Sequence, residues 1–159
     1  MMDIVLSRID DRYIHGQVVT RWVKSYPAER IIVVSDQVAE DELRKSLLLS
    51  VAPSHMKASV VTVEKMAKAW HSERYTGVSA FLLFGNPQDI VRLVELGVAI
   101  KEVNVGGMIF EEGRRQITKS VSASEDDIAA FKTLSAAGVS LELRQLPSDS
   151  AINFIEKLD

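Results

Sequence analysis

The chain has 159 residues, 47% of them apolar and 26% charged, with a net charge of -3. That is the balance of a globular chain long enough to bury a core, and it argues against nucleic acid or an anionic membrane surface as a bulk partner. With no cysteine, disulfides, thiolate metal sites and a cysteine nucleophile are excluded, and no run approaches the roughly 20 apolar residues of a membrane span.

Short β-branched runs alternate with helical patterns along the chain. Ile4-Val5-Leu6 opens as a strand, and Val18, Val19, Trp22 and Val23 then share one helical face. Ile31 to Val34 reads as a buried strand ended by Ser35-Asp36. Glu40 to Val51 follows as a helix with Leu43, Leu47 and Leu48 as its apolar stripe. Ala58 to Val63 predicts a third strand, Glu64 to His71 a helix, and Ala80 to Phe84 a fourth strand. Asn86 caps the next helix, with Pro87 at its first position, where a missing N–H is harmless. Ile90, Leu93 and Val94 form its buried side, and Gly97 stops it. Glu102 to Val105 predicts a fifth strand running into Gly106-Gly107, and Gln116 to Val121 a short one. Ser124 caps a helix whose first turn is acidic (Glu125, Asp126, Asp127) and which Gly138 ends. Val139 to Leu143 is the last predicted strand and Ala151 to Leu158 a terminal helix. No repeat or linker interrupts this rhythm, so residues 1–159 are read as a single domain.

Strands and helices alternating with short connections imply an α/β fold. The expectation is a three-layer α/β/α sandwich around a mostly parallel, doubly wound sheet. Ligands in such folds bind beyond the carboxyl ends of the strands. The segment there after the first strand stands out. Ser7-Arg8-Ile9-Asp10-Asp11-Arg12-Tyr13-Ile14-His15-Gly16-Gln17 holds two arginines, two aspartates and a histidine where a connection of two to six residues is usual.

His15 stands before a helix and is followed by Gly16. An anion beside it meets the outward N–H groups of the first turn, and Gly16 allows close backbone approach. Arg8 and Arg12 offer fork-shaped cationic donors suited to phosphate. A neutral imidazole is a nucleophile at neutral pH, and phosphoryl transfer needs such a nucleophile together with positive charge on the non-bridging oxygens. Either Asp10 or Asp11 can hold one ring N–H and leave the other nitrogen to attack. The bland alternative is a capping histidine beside arginine–aspartate pairs; the density of charge in one loop weighs against it.

Arg8-Ile9-Asp10-Asp11-Arg12-Tyr13-Ile14-His15-Gly16-Gln17-Val18 resembles the signature of the B components (EIIB) of the mannose, fructose and sorbose family of sugar phosphotransferase systems. Asp36 to Asp41, Asn86-Pro87, Asn104 to Met108 and Ala123 to Gly138 are similar to the family too, so the resemblance covers essentially the whole chain. It implies a cytoplasmic phosphoryl carrier, peripherally associated with membrane transporter components. His15 would accept phosphate from the phosphohistidine of the EIIA component and pass it to a sugar held by the membrane EIIC and EIID components. Arg8 and Arg12 would stabilise the pentacoordinate state, with phosphorylation at Nδ1 and with neither metal nor cofactor. Tyr13 departs from the family's usual leucine and borders the site.

Other residues carry two readings each. Gly106 and Gly107 either line a phosphate pocket or make a turn needing positive φ. Asp36 either faces the site or caps a helix. Arg144 would reach the phosphate if its strand lay near the first. His55 and His71 show no ligand spacing, and Trp22, Trp70, Phe81 and Phe84 read as core. A two-component receiver is rejected, because Val63-Glu64 and Gly106-Gly107 stand where a phosphoacceptor aspartate and a lysine are needed. The remaining rival is a non-catalytic anion- or partner-binding module.

Overall fold

A computed structural model describes residues 1–16 and 18–158; Gln17, expected at the site, lies outside the described residues. Its main sheet has seven strands in the order β3-β2-β4-β1-β5-β8-β9. These are β1 (Asp3–Asp10), β2 (Arg30–Val34), β3 (Lys57–Val61), β4 (Ser79–Phe84), β5 (Glu102–Gly107), β8 (Ser140–Leu143) and β9 (Ile152–Asn153). Every neighbouring pair is parallel except the last, where β9 runs antiparallel to β8. Two-residue strands β6 (Arg115–Gln116) and β7 (Ser122–Ala123) form a separate hairpin on the excursion after β5.

Period-two alternation explains why both faces are covered. On β2, Ile31 and Val33 enter one core cluster, while Ile32 and Val34 enter the other. On β4, Phe81 and Leu83 join the first and Ala80, Leu82 and Phe84 the second. The first face is covered by a π-helical turn at Val18–Trp22 continued by α1 (Val23–Ser25), and by α2 (Asp36–Glu40) and α3 (Glu42–Ser50). The second is covered by α4 (Val63–His71), α5 (Pro87–Glu95) and α6 (Glu125–Ala136). The expected sandwich is therefore present, with helices on both sides of a mostly parallel sheet. Among the described residues no helix is long and apolar enough to cross a membrane.

The predicted caps on α5 and α6 form as read. Asn86 accepts from the Asp89 N–H at 3.0 Å, and Ser124 and Asp127 make a reciprocal capping box. Three elements differ from expectation. The helix read from Glu40 to Val51 is split at Asp41, whose carboxylate caps α3 by accepting from the Arg44 N–H. Within α3, Leu43 and Leu47 lie one turn apart on the outward face and are 73% and 60% exposed, and of the expected stripe Leu48 alone is buried. Gln116 to Val121 is mostly turn rather than strand. Ala151 to Leu158 holds β9 and a 3₁₀ turn (Phe154–Lys157) instead of a helix, because Phe154 plugs into the core against Phe131 at 4.8 Å and sets the backbone there.

The first strand is longer than its apolar run suggested. It extends to Asp10, pairing Arg8 with Leu83 on β4 and with Asn104 on β5. The charged segment is thus half strand, and the loop proper is Asp11 to His15. This loop leaves β1 toward the first face, whereas the connections after β4 and β5 lead to the second. The divergence opens a crevice at the carboxyl end of β1, where a doubly wound sheet takes its ligand.

Candidate functional site

Arg8 and Asp10 are two residues apart on β1 and so point to the same face. Asp10 is fully buried, and four donors converge on its carboxylate. Oδ2 lies 2.8 Å from His15 Nε2 and 3.5 Å from Arg8 Nη2, while Oδ1 accepts from the Arg12 N–H at 3.1 Å and from Arg12 Nε at 3.4 Å. Burial pushes the Asp10 carboxyl up, but the His15 hydrogen bond and charge, the Arg12 amide and the Arg8 charge outweigh it and hold it below its ordinary value. An ionised carboxylate can only accept, so the proton in the His15–Asp10 contact belongs to Nε2, and in the neutral imidazole it is Nδ1 that carries the lone pair. Of the two aspartates left open by the sequence, Asp10 is the one on the ring. Asp11 instead accepts from the Ile109 N–H at 2.7 Å and ties the loop to the chain after β5.

The side chain of His15 is 19% exposed and that of Arg12 is 64% exposed, so both can meet an incoming group. Gly16 is exposed with open space around it, consistent with close approach at this end. Beyond His15 the Val19 N–H donates to the His15 carbonyl at 3.0 Å, and Val18–Trp22 is a π-helical turn. Arg12 also lines a groove of ≈ 310 Å³ with Asp11, Gly107, Ile109, Phe110 and Lys119. Ile109 and Phe110, each 63% exposed, give that groove an apolar lip.

Arg8 does not stand with Arg12 at the surface, where a phosphate-side donor was expected. Its side chain is 3% exposed and lies behind Asp10, with Nη1 donating to Asn104 Oδ1 and to the Arg144 carbonyl at 3.2 Å. Its guanidinium lies 4.4 Å from the Trp22 ring centroid. Gly106 is in β5, at the register shift opposite the Ile9–Asp10 step, and a Cβ there would overlap the Arg8 guanidinium. Gly107 packs beside the Asp10 carboxylate. Neither glycine has positive φ, so the turn reading fails for both. Their smallness is what lets Arg8 and Asp10 sit in the sheet.

Asp36 belongs to a different cluster. It accepts from the Val63 N–H at 2.9 Å, capping α4, and from Arg92 at 2.9 Å. Arg144 is one strand removed from β5 and spends its guanidinium on Glu142 at 2.8 Å and on the Tyr26 hydroxyl at 2.7 Å, so it points away from His15. His55 and His71 are exposed, and Trp22, Trp70, Phe81 and Phe84 are core as read.

Sequence reasoning missed Tyr13 as a structural part of the site. It has φ +58°, is 6% exposed, packs its phenol on Gly85 and lies under Arg44 at 5.3 Å. A left-handed backbone is unusual for a bulky residue and persists only where packing over-determines it. Tyr13 therefore anchors the loop inward instead of bordering a partner, and burial raises its hydroxyl above the ordinary value. Asn104, the buried acceptor for Arg8, had no signal beyond being a polar residue inside an apolar strand.

Residues 4–159 match the family model described as PTS system sorbose subfamily IIB component. The chain is 68% identical to the fructose-specific EIIB component of a phosphotransferase system from Bacillus subtilis, over 99% of this chain and 97% of that one. It is 51% identical to the mannose-specific EIIAB component of Escherichia coli K12, over 99% of this chain and half of that one. The crystal structure of the IIB domain of the sorbose permease from Klebsiella pneumoniae is 45% identical, superposes with a TM-score of 0.96, and covers 99% of this chain and 96% of its own.

Proposed function

The chain belongs to the sorbose subfamily of phosphotransferase-system IIB components, phosphoryl-transfer components of sugar phosphotransferase systems, and from that premise we propose that its phosphoryl carrier is Nδ1 of His15. The observation that carries this reading is the 2.8 Å contact between His15 Nε2 and the buried Asp10 carboxylate, which in the neutral ring leaves Nδ1 with the lone pair. In the step itself, the N–P bond of a donor phosphohistidine breaks and its electron pair stays on the donor nitrogen. The Nδ1 lone pair forms the new N–P bond. The ring that results carries Nε2–H and a positive charge, which the Asp10 carboxylate offsets. The donor is the EIIA component; the next acceptor is a sugar presented by the membrane EIIC and EIID components. The reading places the chain at the cytoplasmic side of those components, working as one domain, with the apolar lip of Ile109 and Phe110 beside Arg12 as the rim on which successive partners seat.

The test is the chemistry of the phosphorylated protein. Labelled with phosphoenolpyruvate, the general phosphotransferase proteins and EIIA, it is expected to keep its phosphate in base and lose it in acid. A label lost in both would indicate an acyl phosphate on an aspartate and overturn the assignment.

Arg12 supplies the mobile positive charge in this reading. Its side chain is mostly exposed and, among the described residues, only its Nε is engaged, so the Nη groups can fork onto phosphate oxygens. Arg12→Ala is expected to slow transfer by about 10²-fold, the usual effect of losing one donor to developing charge. Its denaturation midpoint should stay close to that of the parent, since the Arg12 side chain is mostly exposed and Asp10 keeps Arg8, His15 and the backbone amide of residue 12 as partners. A sharp fall in the midpoint with normal transfer by the folded fraction would make Arg12 structural.

A further inference from the structure

A cation buried as deeply as Arg8 is unusual and needs compensation. Arg8 has one full charge partner, Asp10, and otherwise leans on neutral groups: Asn104, the carbonyls of Arg144 and Gln145, and the Trp22 face. Its Nε is buried with no acceptor among the described residues. Burial pushes its guanidinium down to about 10, against the pull of Asp10. The seat lies directly behind the carboxylate that holds His15.

We infer that Arg8 is a positioning residue for the transfer: seated between Trp22 and Asp10, its charge keeps the Asp10–His15 pair at a single shared proton and so leaves Nδ1 bare. With one proton, the pair is carboxylate and Nε2–H imidazole. A second proton gives either carboxylate with imidazolium or carboxylic acid with Nδ1–H imidazole. Both put a proton on Nδ1 and remove the nucleophile. A fixed positive charge 3.5 Å from Asp10 opposes that second proton wherever it would sit. The other charges near the Asp10–His15 pair are Arg12 on the loop, which acts in the same sense from solvent, and Arg144 just after β8. Arg144 is paired with Glu142 at 2.8 Å.

The inference rests on the reading of His15 as the carrier, but it is tested on the unphosphorylated protein, so the two can fail separately. By ¹⁵N NMR, the parent at neutral pH should show a bare Nδ1 and a protonated Nε2 on His15. In Arg8→Met, the pH at which Nδ1 gains its proton is expected to rise by about 1 unit or more, within the range of effects of one nearby charge. Arg8→Lys should recover part of that shift. Should Arg8→Met not fold, Gly106→Ala decides, since it displaces the guanidinium from its seat while leaving it charged. In kinetics with EIIA below the pH at which Nδ1 gains its proton, kcat should fall about 10-fold, the equivalent of a one-unit shift, with KM for the donor unchanged, whereas a surface role in docking would raise KM. A folded Arg8→Met or Gly106→Ala variant with the parent's Nδ1 titration and kcat would overturn the inference.

Discussion

His15→Ala is expected to take up no phosphate from phosphorylated EIIA while remaining folded. The imidazole is the proposed nucleophile, and the other two histidines are engaged or placed elsewhere: His71 bonds the Leu96 carbonyl, and His55 lies in the exposed turn before β3. Folding should survive, because the ring contributes one hydrogen bond and Asp10 keeps its contacts with Arg8 and Arg12. The loss of stability should be about 1.5–3 kcal/mol, the range for a hydrogen bond to a charged group. Label counted after gel separation, with a denaturant melt of the same sample, reads both quantities. Parent-level labelling of the variant would end the assignment.

Asp10→Asn should combine a large kinetic loss with a large loss of stability. Its amide cannot impose the Nε2–H tautomer, since it presents a donor as readily as an acceptor, and it cannot offset the charge on a phosphorylated ring. By analogy with a triad aspartate, the rate of transfer should fall by about 10³–10⁴-fold. Asp10 is also the charge partner of buried Arg8, and breaking such a pair costs about 3–5 kcal/mol. The two effects separate by pH. Because folding lowers the Asp10 carboxyl below its ordinary value, the ionised group contributes stability that is full above about pH 4, near the unfolded value. That contribution is lost as pH falls through the lower folded value. Denaturant melts should therefore show parent and Asp10→Asn far apart at pH 7 and converging below about pH 4. A gap that does not narrow in acid would mean the loss comes from packing, and transfer at the parent rate would remove Asp10 from the mechanism.

The site residues divide by how each is placed. His15 and Arg12 belong to a short loop, where chain order and spatial order coincide, and so they were legible together. Arg8 was legible as a residue but not in its position. An arginine followed two residues later by an aspartate looks like loop charge until the strand is known to run through both, after which alternation sends them to one face. Tyr13 shows the reverse case. Read as a substitution at the rim, it turns out to be driven inward by a left-handed backbone and the space above Gly85, neither of which has a local pattern.

Period-two apolar runs, capped helices and the absence of cysteine were enough to specify a doubly wound sheet with its crevice beside the first strand, because these depend on neighbours within a few residues. The choice of Asp10 over Asp11, the burial of Arg8 over Trp22 and the fit of Gly106 beneath it were settled only when β1, β5 and β8 came side by side. The contacts that fix these positions, Asp11 with Ile109 and Arg8 with Asn104 and the Arg144 carbonyl, join residues about a hundred positions or more apart, and the chain encodes them through packing and charge balance rather than through any local repeat.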